Sequence, residues 1–458
     1  NLQPVFLATV EGAVSVLKKL DVPVFHPVLL YYKTVKEWRE DPHGLSAAEV
    51  GWSVAMPEFE GLIEPLVVGA CDEAEKSKHV PVDERVRKIV RRVKKWVELR
   101  KKPKAERRVA FILHNKPCAS VEATVGSASH LDALESVARI LKRMRDEGYA
   151  VENPPENGKA LIDEIMRRKA ISEFRWTTVE EIVKKGGALA LISREEYEEW
   201  FNRLDEEVRK RVCEAWGEPP GDAMVFEGKL VVTGLKFGNA IVCVQPKRGC
   251  AGARCDGQVC KILHDPEVPP PHQYLATYKY LEENADVVVH VGTHGNLEFL
   301  PGKSVGLSDR CFPDIAIGDL PHLYIYNSDN PPEGTIAKRR SYATLVDHMQ
   351  AVLTESGLYG ELKELEDAIA EYRKVKGENK ARESELRKQI ISLLRKTRLF
   401  DEIRNELRRK VGERCGKVCE NDEDFGEAEF DAVLDAIHRA LSRIYDTQIP
   451  DGMHIFGE

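Results

Sequence analysis

The stretch His290-Val-Gly-Thr-His294-Gly-Asn-Leu-Glu298 gathers two imidazoles and a carboxylate around a glycine-bearing turn. Such groups suit two jobs: holding a divalent transition metal and accepting protons near neutral pH. The apolar run 286–291 reads as a strand, which puts the cluster at a strand's carboxyl end, where open α/β sheets place their ligands. A helix opening near Gly295 would set His294 and Glu298, four apart, on one face. Two histidines and a glutamate beside a turn also occur as structural polar groups. The neighbouring glycines favour a site, because they let the backbone approach a ligand closely. Just upstream, His264-Asp-Pro and Pro269-Pro-Pro-His272 hold two further imidazoles on stiff, non-helical chain, where structural and functional roles fit equally well.

Three other groups of residues carry chemistry. Lys338-Arg339-Arg340 would lie on a helix following Pro331-Pro332-Glu333-Gly334; such a cluster is commonly solvated, but beside a glycine-rich site it could hold the carboxylates of an acidic ligand. Cys250, Cys255 and Cys260 fall inside eleven residues, among Gly249, Gly252 and Gly257 and beside Lys247, Arg248 and Arg254. Glycines allow a loop to wrap a metal and cations offset thiolate charge, so zinc or an iron–sulfur cluster, with Cys243 a candidate fourth ligand, is one reading, and free thiols or a redox disulfide are the others. Gly302-Lys303-Ser304 imitates the end of a phosphate loop but lacks its upstream glycine, position 297 being Leu. With no nucleotide-hydrolysis motif elsewhere, any ATP dependence must come from a partner.

The elements that position these groups read as an alternation of strands and helices. Early strands are expected at 4–10 and 22–30, then a helix at 82–97 whose Val86, Val90, Val93 and Val97 form an apolar face. Val109–Leu113 reads as a buried strand, 131–144 as an amphipathic helix, and Tyr149–Val151 as the next strand. Ala188–Ile192 reads as another strand, and short β-runs broken by glycines follow at 224–244. Beyond them come a helix over 274–283, the strand before His290, a strand at 323–326, a helix over 333–349 and a helical remainder. The fold class is therefore α/β, several units with mainly parallel sheets followed by a helical C-terminal region. Expected domains are 1–104, 105–246, a 247–350 region carrying the cysteine loop and the His/Glu site, and a helical 351–458. The charge of 68 minus 76, or −8, gives no reason to expect nucleic-acid binding. No apolar run approaches the ~20 residues of a bilayer span, no signal peptide is visible, and the ten cysteines are too few for a disulfide scaffold, so a cytoplasmic protein is expected. A start at Asn1 suggests a fragment of something longer.

Together the motifs are recognisable. His290 through Asp309, then Ile317-Gly-Asp-Leu-Pro-His322, Asp329-Asn330 and Glu333-Gly-Thr-Ile-Ala-Lys-Arg-Arg340, closely resemble the cobaltochelatase large-subunit family, which includes the large, porphyrin-binding subunit of magnesium chelatase. Pro57-Glu58, Gly61–Pro65, Trp216–Asp222, Gly234–Asn239, Val244-Gln245-Pro246, His264-Asp-Pro and Pro270-Pro-His272 agree with it. The cysteine insertion and Val125-Gly-Ser-Ala128 depart from the better-known members, and the insertion is similar to that of archaeal ones. The resemblance implies a middle portion of a tetrapyrrole-binding subunit of a metal–nitrogen ligase. Such a subunit inserts Co2+ into a corrin precursor of the hydrogenobyrinic acid a,c-diamide type, or Mg2+ into a porphyrin. ATP would be hydrolysed on separate AAA+ subunits, with an integrin-I-domain-type subunit as a further partner. His290, His294 and Glu298 are the expected catalytic and metal-holding cluster. His264, His272, Gln245, Lys303, Lys338, Arg339 and Arg340 are the expected tetrapyrrole contacts. Since the chain holds no energy-coupling motif, a non-catalytic tetrapyrrole or metal carrier is the alternative.

Overall fold

A computed structural model describes residues 10–115, 124–172, 177–248, 267–327, 331–350, 353–355, 357–397, 399, 400, 403, 404, 407, 427–445, 448–450 and 452–457. The chain forms two compact units, one of residues 1–350 with 453–458 and one of residues 351–452. In the first, β1 (Phe25–Thr34), β2 (Ile63–Cys71) and β3 (His79–Pro81) make a three-stranded sheet with β1 and β2 parallel. The larger sheet begins with β4 (Val109–Leu113). After it, β5 (Ala188–Ile192), β6 (Val225–Phe226) and β7 (Lys229–Thr233) form a small antiparallel sheet. The chain then returns to the larger sheet with β8 (Leu235–Phe237), β9 (Ala240–Val244), β10 (Val287–Val291), β11 (His322–Tyr326) and β12 (Thr344–Asp347). The six strands lie in the order β12-β11-β10-β4-β9-β8, all parallel except the edge hairpin strand β8.

Every residue of β4, β9 and β10 is buried, as expected of parallel strands covered on both faces. One face carries Ala110, Ile112, Ile241, Cys243 and Val288 against the His272–Asn284 helix; the other packs Val109, Phe111, Val242 and Val289 against the Ala133–Asp146 and Gly158–Arg168 helices. From β4 the chain runs first to β9 on one side and later to β10 on the other. The topological switch point therefore falls between β4 and β10, at the carboxyl edge of the sheet where this architecture binds ligands. In the second unit, the Gly360–Val375, Lys380–Lys396 and Glu427–Tyr445 helices pack Leu365, Ile369, Leu386, Ile390, Phe430 and Ile437 together, and β13 (Leu353–Glu355) pairs with β14 (Gln448–Pro450). The α/β class with a mainly parallel sheet and a helical C-terminal region is as the sequence implies.

Four local expectations fail, each for a physical reason. The Asp83–Lys101 helix leaves Val90 and Val97 exposed and Val86 and Val93 only half-buried, and it is Arg85, Lys88 and Arg92 that it buries fully. Charge goes inside because each cation finds partners there. Arg85 pairs with Asp314 at 2.9 Å, while Arg92 is clamped by the Glu64 carboxylate and the Gly318 and Leu320 carbonyls. Tyr149–Val151 makes a tight turn instead of a strand, the Val151 N–H donating to the Tyr149 carbonyl at 2.8 Å. The helix expected over 333–349 stops at Arg340, because Tyr342 adopts φ +54° and is pinned by a 2.6 Å hydrogen bond to Asp314; β12 follows. Val10 opens a helix, Val10–Lys18, and the rest of the strand expected at 4–10 lies outside the described residues.

Candidate active site at the carboxyl edge of the parallel sheet

β10 ends in a turn that only glycine can make. At Gly292 (φ +133°) a Cβ would stand 2.6 Å from the Ser127 carbonyl oxygen and 2.7 Å from the His114 Cβ. The turn docks on the loop after β4: the Thr293 N–H donates to the Ser127 carbonyl at 3.2 Å and its hydroxyl accepts from the Ser129 N–H at 2.7 Å. The chain reverses through His294 at φ +61° and makes only a short 3-10 turn, Leu297–Phe299. The α-helix expected from Gly295 does not form, so His294 and Glu298 share no helical face. Instead the Glu298 carboxylate folds back over Gly295, whose hypothetical Cβ would lie 2.0 Å from Oε1.

Glu298 is buried, and its Oε1 has no hydrogen-bond partner among the described residues. Desolvation, reinforced by the nearby Glu333 carboxylate, pushes its pKa up to about 7 against the opposing pull of Arg340 and Arg248. A carboxyl poised there exchanges a proton at neutral pH. Arg340 does not pair with that carboxylate; its guanidinium grips the turn through the carbonyls of Glu298, Leu300, Gly302 and Lys303. His294 is the exposed member of the site, with 68% of its side chain open. Its Nδ1 lies 3.0 and 3.1 Å from the two Glu333 oxygens, and the Tyr326 hydroxyl donates to the same carboxylate at 3.3 Å. Glu333 therefore holds His294 with Nδ1–H toward the carboxylate and the Nε2 lone pair free.

Beneath these groups lies a buried layer of aromatic side chains. His290 Nε2 is 2.9 Å from the Tyr278 hydroxyl, His290 Nδ1 is 2.6 Å from His322 Nε2, and His322 Nδ1 is 2.8 Å from the Ser341 carbonyl oxygen. His114, at the end of β4, lies 5.4 Å ring to ring from His290 and meets the Tyr324 hydroxyl at 3.3 Å. Burial holds all three imidazoles neutral: His290 well below its ordinary value, His114 at about 3 and His322 at about 4.

The remaining sequence-predicted residues are distributed unevenly. Gln245 closes the buried layer, its amide donating to the Tyr274 and Tyr278 hydroxyls at 3.2 Å each. His272 sits in the core with both ring nitrogens engaged, Nδ1 by the Tyr197 hydroxyl and Nε2 by the Gly217 carbonyl, each at 2.9 Å. Lys303 donates to the carbonyls of Arg39 and Asp41 at 3.0 and 2.5 Å. Arg339 is committed to Glu58 at 2.8 Å, with Lys338 3.9 Å from the same carboxylate. Cys250, Cys255, Cys260 and His264 lie outside the described residues. Among the described residues no three His, Cys, Asp or Glu side chains converge as a ready-made metal site. Sequence reasoning missed the roles of His114, Tyr278, His322 and Glu333. His114 follows the apolar run Val109–Leu113, and a polar residue at the end of a buried parallel strand is a readable signal; Tyr278 carries none.

A doubly wound parallel sheet with imidazole and carboxylate groups gathered at its switch point defines the class, an α/β protein. The comparisons narrow that class. A family model described as CobN/Magnesium Chelatase matches residues 6–458. An uncharacterised protein of Methanocaldococcus jannaschii is 54% identical over 98% of this chain and 36% of its own length. The aerobic cobaltochelatase subunit CobN of Pseudomonas aeruginosa is 34% identical over 92% of this chain and 32% of its own. The solved catalytic subunit of cobaltochelatase from Mycobacterium tuberculosis superposes with a TM-score of 0.77 at 31% identity, over 96% of this chain and 35% of that one. The chain belongs to the CobN/magnesium chelatase family, and it spans about a third of the length of the curated relatives it matches. Among the described residues no helix is long and apolar enough to cross a membrane.

Proposed function

We propose that this chain carries the metal-insertion site of a chelatase large subunit, which holds a tetrapyrrole over the carboxyl edge of the parallel sheet while a divalent ion enters the ring. The observation that carries the reading is Glu298, a buried carboxylate lacking a partner for Oε1, next to the exposed His294–Glu333 pair. Insertion of M2+ displaces the inner N–H protons of the ring, one from a corrin and two from a porphyrin, so the site must accept a proton as the ion arrives. Glu298, poised near neutrality, takes one, and the free Nε2 of His294 meets the incoming ion before the ring nitrogens do. His290, with both nitrogens engaged, supports the site from beneath. Co2+ is the preferred ion and a corrin precursor the preferred macrocycle, with Mg2+ and a porphyrin as the alternative pair. The energy comes from ATP hydrolysed on separate AAA+ subunits acting with an integrin-I-domain-type partner. Equilibrium binding of the full-length protein to cobalt-free corrinoids and porphyrins tests the assignment. Saturable binding of one class, followed by insertion when metal, ATP and partner subunits are supplied, is the expected result; binding of neither class would overturn it.

A further inference from the structure

The Pro331–Arg340 helix carries both halves of the site. Glu333, near its start, holds His294, and Arg340, at its end, grips the turn through the Glu298 carbonyl at 2.6 Å and the Gly302 carbonyl at 3.0 Å. The helix itself is thinly packed. The residues it buries fully are Gly334 and Ala337, which rest against Tyr326 and Leu345 and bring one methyl group between them. Burial of one methyl is a weak anchor for a helix, so polar ties must fix its place. One of them reaches across the fold. Arg339 donates from Nε and Nη2 to the two Glu58 oxygens at 3.2 and 2.8 Å, a two-point fork, and Lys338 Nζ lies 3.9 Å from the same carboxylate. Only 10% of the Glu58 side chain and 17% of the Arg339 side chain are exposed, so solvent and salt screen this pair far less than one on the surface. Glu58 belongs to the short Met56–Phe59 helix ahead of β2, 281 residues from Arg339 in sequence. The layer that bears Glu58 also holds the chain beyond Glu298. Lys303 Nζ donates to the Arg39 carbonyl at 3.0 Å, and the Trp38 indole N–H donates to the Gly306 carbonyl at 2.9 Å.

We infer that Glu58 is a positioning residue for metal insertion: by clamping Arg339 it fixes the Pro331–Arg340 helix, and through that helix it sets His294 and the turn that carries Glu298. The inference deepens the insertion-site reading and rests on it. Glu58 touches neither metal nor macrocycle in this scheme. Glu333 and Arg339 stand six residues apart on one helix, about 9 Å at 1.5 Å per residue, so a slip at Arg339 is passed directly to Glu333. Arg340 moves with them. Loss of the clamp would therefore carry the His294 imidazole and the Glu298 turn out of alignment together, and a misplacement of about 1 Å costs on the order of 100-fold in rate. The clamp also gives Arg339 its role, since the guanidinium is committed to Glu58 rather than turned to a ligand.

The test uses full-length protein with ring-15N-labelled histidine, His294 being assigned by loss of its signals in His294→Gln. Wild type is expected to show His294 held with Nδ1 protonated and Nε2 bare, as the Glu333 contact requires. Glu58→Gln and Arg339→Gln each break the fork, and each should relax His294 toward the tautomer mixture of an unheld imidazole. In the assembled chelatase each should lower kcat by about tenfold with KM for tetrapyrrole changed less than about twofold. The double variant should be no slower than the slower single one, because both substitutions cut the same tie. Arg91→Gln, which removes the exposed ion pair to Asp319, should leave kcat and the His294 signals as in wild type. If either Gln variant fails to fold, Arg339→Lys keeps the charge, loses the two-point grip and carries the same expectation. His294 signals identical to wild type in the clamp variants, or a double variant whose loss is the product of the two single losses, would overturn the inference. The spectrum needs no turnover, so the two failures are distinguishable: displaced His294 signals with undiminished insertion would overturn it by removing His294 and its helix from the reaction, and with them the insertion-site reading.

Discussion

Replacing Glu298 by Gln preserves shape and removes ionisation, and its effect on stability can be worked from the burial of the carboxylate. The native pKa rises from the ordinary 4.5 to about 7, chiefly through desolvation with Glu333 adding to it. The native state therefore binds more protons than the unfolded chain between those values, and wild-type stability must fall as pH rises through that window. A rise of about 2.5 at 1.36 kcal/mol each corresponds to a cost on the order of 3 kcal/mol at pH 8. The Gln variant has no such cost. In urea titrations from pH 4 to 8.5 it should match wild type near pH 4.5, gain on it through pH 7, and stand about 3 kcal/mol more stable at the plateau. The same variant should lose metal insertion, so stability and activity move in opposite directions, the signature of a residue retained for chemistry at a cost to the fold. A stability difference that does not change with pH, or a variant less stable than wild type at pH 8, would refute the placement of an ionisable, unpartnered carboxylate in this pocket.

Three further perturbations probe the frame around the site. Arg92→Leu strands the buried Glu64 carboxylate, which Arg92 meets at 3.0 Å and Trp96 at 2.8 Å, and should cost about 3–5 kcal/mol by urea denaturation, whereas Val90→Lys on the exposed side of the same helix should cost less than about 0.5 kcal/mol. Comparable losses from the two would show that the helix faces the other way. Gly295→Ala places a methyl 2.0 Å from Glu298 Oε1 and must push the carboxylate aside, so turnover should fall by at least about tenfold while tetrapyrrole affinity, read by fluorescence quenching, changes little. Arg340→Lys replaces a planar fork that serves the carbonyls of Glu298, Leu300, Gly302 and Lys303 with a point charge; amide hydrogen exchange at residues 297–303 should accelerate by about tenfold, and unchanged exchange would show that the turn holds itself.

The sequence made the sheet and the neighbourhood of the site legible, and left their wiring obscure. β4, β9 and β10 are short apolar runs between turn residues, and the glycines at 292 and 295 announce a tight reversal after β10. The orientation of the Asp83–Lys101 helix could not be read the same way. Its valines recur at helical spacing, but the partners that draw Arg85, Lys88 and Arg92 inward are Glu64 and the segment 314–320, which no local pattern connects to the helix. Within the site, His290, His294 and Glu298 were picked out by residue type and spacing. Their different environments were not. One turn exposes His294, buries Glu298 against Gly295 and sinks His290 into a layer completed by Tyr278 and His322, residues 12 before it and 32 after it. Side-chain hydrogen bonds between distant elements decide whether a histidine can act as a ligand or as a strut, and composition carries no record of them.

The central claim is that Glu298 takes a ring proton during metal insertion. Its most direct test is a single-turnover measurement with full-length protein, partner subunits, ATP and a tetrapyrrole that the wild type metallates, comparing wild type with Glu298→Gln and following macrocycle absorbance as the ion enters. The account predicts that Glu298→Gln binds the metal-free tetrapyrrole within about tenfold of wild type, a difference under about 1.4 kcal/mol, yet forms no metallated product on the wild-type timescale. Insertion at the wild-type rate by Glu298→Gln would contradict it.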